Sequence, residues 1–162
     1  MATDTPVSVA IALGSNLGDR ASHLGFALER LRPLVQDIRV STFIDTDPVG
    51  VGAQPLFLNG AAAGATRLRP RELLHALLSI EHDRGRERPF QGAPRTLDLD
   101  LVLYGDSIIS EPGLAVPHPR FRERAFVLAP LAEIGAEMRD PVTGLTVAQL
   151  WERLQAAAIR PS

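Results

Sequence analysis

The chain has 162 residues, 45% of them hydrophobic and 22% charged, with a formal net charge of −2. That is long enough for one globular domain with its own core, and the acidic balance excludes a nucleic-acid protein held by a basic face. There is no cysteine, which excludes disulfides and thiolate metal sites, and no lysine among the 17 basic residues, which excludes a P-loop and any lysine Schiff base.

Val7-Ser8-Val9-Ala10-Ile11-Ala12-Leu13 alternates strictly and predicts a strand. Gly14-Ser15-Asn16-Leu17-Gly18 ends it, either as a plain tight turn or as a ring of backbone N–H groups facing an anion. Asp19 is a suitable N-cap, and Leu24, Leu28 and Leu31 then recur at helical spacing, with Pro33 near the close. Ile38 to Ile44 is β-branched and predicts a second strand. The Pro/Gly-rich run Asp45 to Pro55 reads as a lid or an irregular connection. Phe57 to Ala65 predicts a third strand, with Asn59 as either an outward-facing amide or a site residue.

Pro70 opens a helix whose apolar stripe is Leu73, Leu74, Leu77, Leu78 and Ile80. Glu81 falls on the same stripe. A carboxylate on a buried face needs a partner, so it is a structural bond at the helix end or part of a site. Asp83 to Arg95 is a charged, Gly- and Pro-broken arm that leads into Thr96-Leu97-Asp98-Leu99-Asp100. On a strand from Leu97 to Tyr104, Leu97, Leu99, Leu101 and Leu103 face one way and Asp98, Asp100 and Val102 the other. Two carboxylates about 6–7 Å apart on one face repel each other unless something neutralises them, and the spacing suits hard divalent cations with phosphate oxygens. Ile108-Ile109 adds a short strand. His118 is fixed between Pro117 and Pro119, and Arg120, Arg122 and Arg124 follow too closely for all three to share one direction. Val127 to Ile134 reads helical, Asp140 to Gly144 is a turn, and Thr146 caps a last helix of about 146–157.

The order is therefore β-α-β-β-α-β with a C-terminal helical extension. It predicts an α+β, ferredoxin-like antiparallel sheet with helices packed on one face, as a single domain over 1–162. No apolar run reaches 18 residues and the N-terminus carries no basic leader, so a cytoplasmic protein without a membrane span is expected.

Ala12-Leu13-Gly14-Ser15-Asn16, Leu58-Asn59, Gly92-x-Pro94-Arg95-Thr96-Leu97-Asp98-Leu99-Asp100 and Val116-Pro117-His118-Pro119 stand in the order and spacing of one family. Over about 7–134 the chain resembles the 6-hydroxymethyl-7,8-dihydropterin pyrophosphokinases of folate biosynthesis. The resemblance implies diphosphate transfer from ATP to the pterin hydroxymethyl group, with AMP released. It implies two Mg²⁺ ions on Asp98 and Asp100, and ATP contacts from Glu81, Arg86, Arg88, Arg95, Leu101, His118 and Arg124. The catalytic set carried over is Arg86, Arg88, Arg95 and Asp100. The pterin positions are Thr46, Val49, Phe57, Asn59 and Phe126, with the two Phe rings enclosing the pterin and Asn59 reading its edge. A monomer is expected, with no nucleic-acid or membrane partner. Two positions depart from common members: Gln91-Gly92-Ala93 lacks a Trp, which leaves Phe90 as the candidate aromatic of the arm, and Pro119 stands where some have Tyr.

Two other classes fit parts of the pattern. A non-catalytic ferredoxin-like binding module needs only the fold, and an RNA reader among these would need sheet aromatics beyond Phe43, Phe57 and Tyr104. A metal-dependent phosphohydrolase would use the same Asp98 and Asp100 but no acceptor pocket.

Overall fold

The computed structural model describes residues 2–46, 56–85 and 96–159. Strand β1 (Ala2–Ser15) is followed by α1 (Arg20–Leu31), β2 (Gln36–Val40), β3 (Ile44–Thr46), β4 (Phe57–Leu68), α2 (Pro70–Asp83) and β5 (Asp98–Tyr104). A ribbon of β6 (Ile109–Glu111) and β7 (Leu114–Val116) comes next. One 3-10 turn at Phe121–Glu123, α3 (Ala125–Gly135) and α4 (Val147–Ile159) complete the order. The main sheet runs β2-β4-β1-β5, with β3 also on β4, and every pairing in it is antiparallel.

The helices form where the sequence predicts them, for visible reasons. Asp19 accepts from the Ser22 N–H at 3.2 Å and so satisfies a first-turn donor of α1. Glu72 reaches back to the Arg69 N–H at 2.9 Å, with Pro70 in the first turn of α2. Thr146 and Gln149 close a reciprocal capping box on α4, at 2.9 and 3.2 Å. The α1 and α2 stripes bury Leu24, Leu31, Leu73 and Leu77 against Val9, Ile11, Leu13, Leu99 and Leu101. Each fully buried leucine contributes roughly 2 kcal/mol. Leu78, expected on that stripe, is 46% exposed instead. Among the described residues no helix is long and apolar enough to cross a membrane.

Three features differ from the expected pattern. The second strand is broken. Ser41 Oγ accepts the Ala61 N–H at 2.8 Å, in place of a backbone carbonyl, and the chain resumes pairing only at Ile44. The leucine alternation of β5 fails at Val102. The register against β1 slips between Leu101 and Leu103, which makes Val102 an extra residue and turns Leu103 to the opposite face from Leu101. The C-terminal extension, finally, covers the second face of the sheet. Ala10, Ala12 and Ala61 present a low surface there, on which α3 and α4 pack Val127, Leu128, Leu131, Val147 and Leu150 around Phe121.

This second layer is joined by a buried ion pair. Arg122 donates to both oxygens of Asp140, at 2.6 and 2.9 Å, and Asp140 is fully buried. Burial pushes the Asp140 carboxyl up, but bonds from Arg122, Thr143 and the Val142 N–H outweigh it and hold the pKa down, from 3.8 to about 2. A lowered carboxylate pKa stabilises the fold above the ordinary value and ceases to do so as pH falls through the lowered one. Urea unfolding should therefore show wild type ahead of Asp140→Asn by roughly 2 kcal/mol near pH 6. The gap should close by about pH 2, and a gap independent of pH would contradict the pairing.

Candidate active site

Register assembles the site. Gly14 lies opposite Asn59 on one side and Asp98 on the other, Ala12 lies opposite Asp100, Thr46 opposite Phe57 and Ile44 opposite Asn59. Residues directly opposite in antiparallel strands share a face. Thr46, Phe57, Asn59, Asp98 and Asp100 therefore stand at one end of the face that α3 and α4 cover further along. All five are half-buried, as a cleft floor is.

Gly14 is the low point of that floor. A Cβ there would sit 2.9 Å from Asn59 Oδ1 and 3.6 Å from Phe57 Cδ1. The missing side chain lets the Asn59 amide lie over β1. Asn59 Nδ2 donates to Thr46 Oγ1 at 2.5 Å, which fixes the amide plane and leaves Oδ1 over Gly14.

Behind the two aspartates stands Glu81. It is 2% exposed, and its Oε2 accepts the Leu99 N–H at 2.7 Å. Among the described residues β5 is an edge strand, so this donor has no further strand there to meet. A carboxylate acceptor is stronger than a neutral one, and here it holds the peptide between Asp98 and Asp100. Glu81→Ala should cost roughly 1–3 kcal/mol by leaving a buried donor unmade. Amide exchange at Leu99 should accelerate in that variant more than at neighbouring core amides, and equal acceleration throughout would contradict a local tie.

The third wall comes from the segment after β7. The His118 N–H donates to Val102 O at 3.0 Å, and the Arg120 N–H donates to His118 Nδ1 at 3.2 Å. Nδ1 is thus an acceptor, and the ring proton sits on Nε2. Burial lowers the His118 pKa below 6.5, Arg124 and Arg120 lower it further, and Asp98 pulls it back up. With Nδ1 accepting, the ring has its Nε2–H to offer. The Arg124 guanidinium stands over the Phe126 ring, 5.4 Å from its centre, and the Arg124 carbonyl starts α3 by accepting from Val127 and Leu128. Arg122 turns away to Asp140, and Arg120 is exposed.

The floor gathers Thr46, Phe57, Asn59, Asp98 and Asp100, and the segment 118–126 brings His118, Arg124 and Phe126 together, with Asp98 within electrostatic reach of His118. Leu101, expected among the ATP contacts, has its side chain buried in the core under α1 and α2, so only its backbone is open to such a role. Val49, Arg86, Arg88 and Arg95, and with them Phe90, lie outside the described residues. Sequence reasoning gave no separate role to Gly14, whose signal was a glycine ending an alternating strand. It also gave none to Arg20, which bonds Asp45 Oδ1 at 2.6 Å and Leu56 O at 2.9 Å.

Comparison with known proteins follows this geometry. The model of the family described as 7,8-dihydro-6-hydroxymethylpterin-pyrophosphokinase matches residues 10–136. The 2-amino-4-hydroxy-6-hydroxymethyldihydropteridine pyrophosphokinase of Bacillus subtilis is 46% identical over 135 residues, 82% of this chain and 81% of that protein. The Pseudomonas aeruginosa protein of the same name is 43% identical over 82% of this chain and 83% of its own length. The folic acid synthesis protein fol1 of Pneumocystis carinii is 38% identical over 95% of this chain, which spans only 21% of it. A crystal structure of Plasmodium falciparum HPPK-DHPS has the same fold, with a TM-score of 0.74 at 13% identity, over 94% of this chain and 44% of that one.

Proposed function

This chain belongs to the 7,8-dihydro-6-hydroxymethylpterin-pyrophosphokinase family, and from that premise we propose how its residues transfer diphosphate from ATP to 6-hydroxymethyl-7,8-dihydropterin. The products are the pterin diphosphate and AMP, in folate biosynthesis. The observation that carries the assignment of roles is the single row Asn59, Gly14, Asp98 across three strands. It sets a polar reader of a flat ring beside a carboxylate, with a side-chain-free floor between them.

The flat pterin lies between Phe57 and Phe126, and the Asn59 amide, held by Thr46, reads its edge. The family resemblance adds Val49 to the pterin-binding set. On the other side of Gly14, His118 donates its Nε2–H and Arg124 its guanidinium to phosphate oxygens. The family resemblance adds Arg86, Arg88 and Arg95, which precede β5 in sequence, to the phosphate-binding set. The donor set suits Mg²⁺: Asp98 and Asp100 are hard oxygen ligands on one face, with the small residues Gly14 and Ala12 opposite them. Two ions would be held there, and when bound they offset phosphate charge and acidify a coordinated hydroxyl. The pterin hydroxyl oxygen attacks the β-phosphorus in line. The bond from that phosphorus to the α,β-bridging oxygen breaks, and AMP leaves with the bridging oxygen. Asp100 accepts the hydroxyl proton at a carboxylate oxygen. Oriented donors aimed at developing charge supply most of the rate enhancement. Glu81 acts from behind by fixing the Leu99 peptide. The reading treats 1–162 as one catalytic unit, monomeric and cytoplasmic.

The test is nucleotide product analysis after incubation with ATP, Mg²⁺ and 6-hydroxymethyl-7,8-dihydropterin. AMP formed only when pterin is present is the expected result. ADP and phosphate, with or without pterin, would replace the reading with a phosphohydrolase, and bound but unreacted ATP would replace it with a binding module.

A further inference from the structure

We propose that Asp140 is a positioning residue for the nucleotide side of the site, acting through Arg122 on the segment that carries His118 and Arg124. The proposal rests on the assignment of those two side chains to phosphate binding.

The segment 118–124 is an irregular run with one 3-10 turn. Such a run keeps side chains in place only if it is tied down at several points. Its start is tied to β5 by the His118 N–H to Val102 O bond. Its middle is tied by the Phe121 ring, 0% exposed in the core beneath α3 and α4. The third tie is Arg122, the residue between that anchor and Arg124. Its guanidinium stacks over the Phe121 ring at 4.9 Å and forks onto Asp140, with Nε on Oδ2 at 2.6 Å and the terminal nitrogen on Oδ1 at 2.9 Å.

Asp140 is the fixed half of the pair. Its Oδ1 also accepts from the Val142 N–H at 3.0 Å, and its Oδ2 from Thr143 Oγ1 at 2.7 Å. Its N–H donates to Leu145 O and its carbonyl accepts from the Gly144 N–H, each at 2.8 Å. A residue with these four bonds besides the fork does not follow Arg122 if Arg122 moves; it determines where Arg122 sits. The pair has a second consequence. Three arginines occur within five residues of chain, and pairing Arg122 with a buried carboxylate removes its charge from the repulsion felt by Arg124 and by any cation at Asp98. Arg124 is left as the segment's inward guanidinium, stacked on Phe126. Asp140 lies beyond the residues 10–136 that the family model matches, so the connection between α3 and α4 serves the site as well as the fold.

The test separates the two substrates. Arg122→Lys keeps the charge but not the fork, and Asp140→Asn keeps the shape but not the charge. Each variant is first shown to be folded at assay temperature by circular dichroism. Affinity for α,β-methylene-ATP with Mg²⁺ is then measured by calorimetry, and affinity for the pterin at saturating nucleotide. The expected result is nucleotide binding weakened about tenfold, because small misplacements of binding groups are costly, with pterin affinity within about twofold of wild type. Unchanged nucleotide affinity in a folded variant, an equal loss for both ligands, or failure of both variants to fold would overturn the proposal. His118→Ala and Arg124→Ala distinguish the reading beneath it. If they leave nucleotide affinity unchanged, the phosphate assignment itself is wrong and the proposal falls with it.

Discussion

Asp100→Asn should lower turnover by about 10³-fold, near 4 kcal/mol of transition-state stabilisation, while leaving the fold about as stable as wild type. The two halves of that expectation have separate causes. Asn has the same shape, so its place opposite Ala12 on β5 and the bond from Leu99 to Glu81 behind it are kept. Aspartate and asparagine are both poor strand residues, so the exchange leaves the strand's own stability nearly unchanged. On the proposed roles, what is lost is an anionic metal ligand on the side where the phosphates would come, and with it the proton acceptor. Steady-state AMP release, a Mg²⁺ titration and a thermal melt on one preparation measure all three. Near-full activity would remove both the ligand and the base role from Asp100. A large fall in melting temperature would mean that the carboxylate is structural.

Gly14→Val should abolish pterin recognition at nearly unchanged stability. The new Cβ would stand 2.9 Å from Asn59 Oδ1 and 3.6 Å from Phe57 Cδ1, and its two methyl groups would reach further across the floor. Asn59 must then leave Thr46 and lose a bond of roughly 1 kcal/mol. Valine in a strand regains a comparable amount over glycine, so the net change in stability should be small. The chemistry suffers more, because a group misplaced by about 1 Å can cost 100-fold. The expected result is a pterin KM raised at least about 100-fold, with ATP affinity close to wild type. An unchanged pterin KM would mean that the Asn59–Gly14 floor is not the pterin pocket.

Much of this was legible in the sequence because local rules and tertiary structure agree. Leu24, Leu28 and Leu31, like Leu73 and Leu77, recur at helical spacing, and each is buried where that spacing puts it. Asp98 and Asp100 alternate with Leu99 and Leu101, and they face away from the α1 and α2 core as alternation requires. The failures occur where a long-range partner decides. Nothing near Ser41 announces that its hydroxyl will replace a backbone group toward Ala61, twenty residues on. The slip at Val102 depends on β1, and it moves Leu103 across the sheet against its own periodicity. Glu81 stood out as a carboxylate needing a partner, but that partner is the Leu99 backbone N–H, which no side-chain pattern can show. Asp140 reads as an ordinary turn aspartate. Only the packing of α4 against the Phe121 segment reveals that it is buried and pairs with Arg122. The family resemblance proposed a set of site residues, and the register shows that Gly14, Asn59 and Asp98, far apart in sequence, meet in a single row.

The most direct test of the central claim is a crystal structure of the protein with Mn²⁺, α,β-methylene-ATP and the pterin, with anomalous data collected for manganese. The account predicts two anomalous peaks bound by Asp98 and Asp100, phosphates on His118 and Arg124, and the pterin between Phe57 and Phe126 with its edge on Asn59. Nucleotide or pterin bound away from the Asn59–Gly14–Asp98 row, or manganese held by other residues, would contradict it.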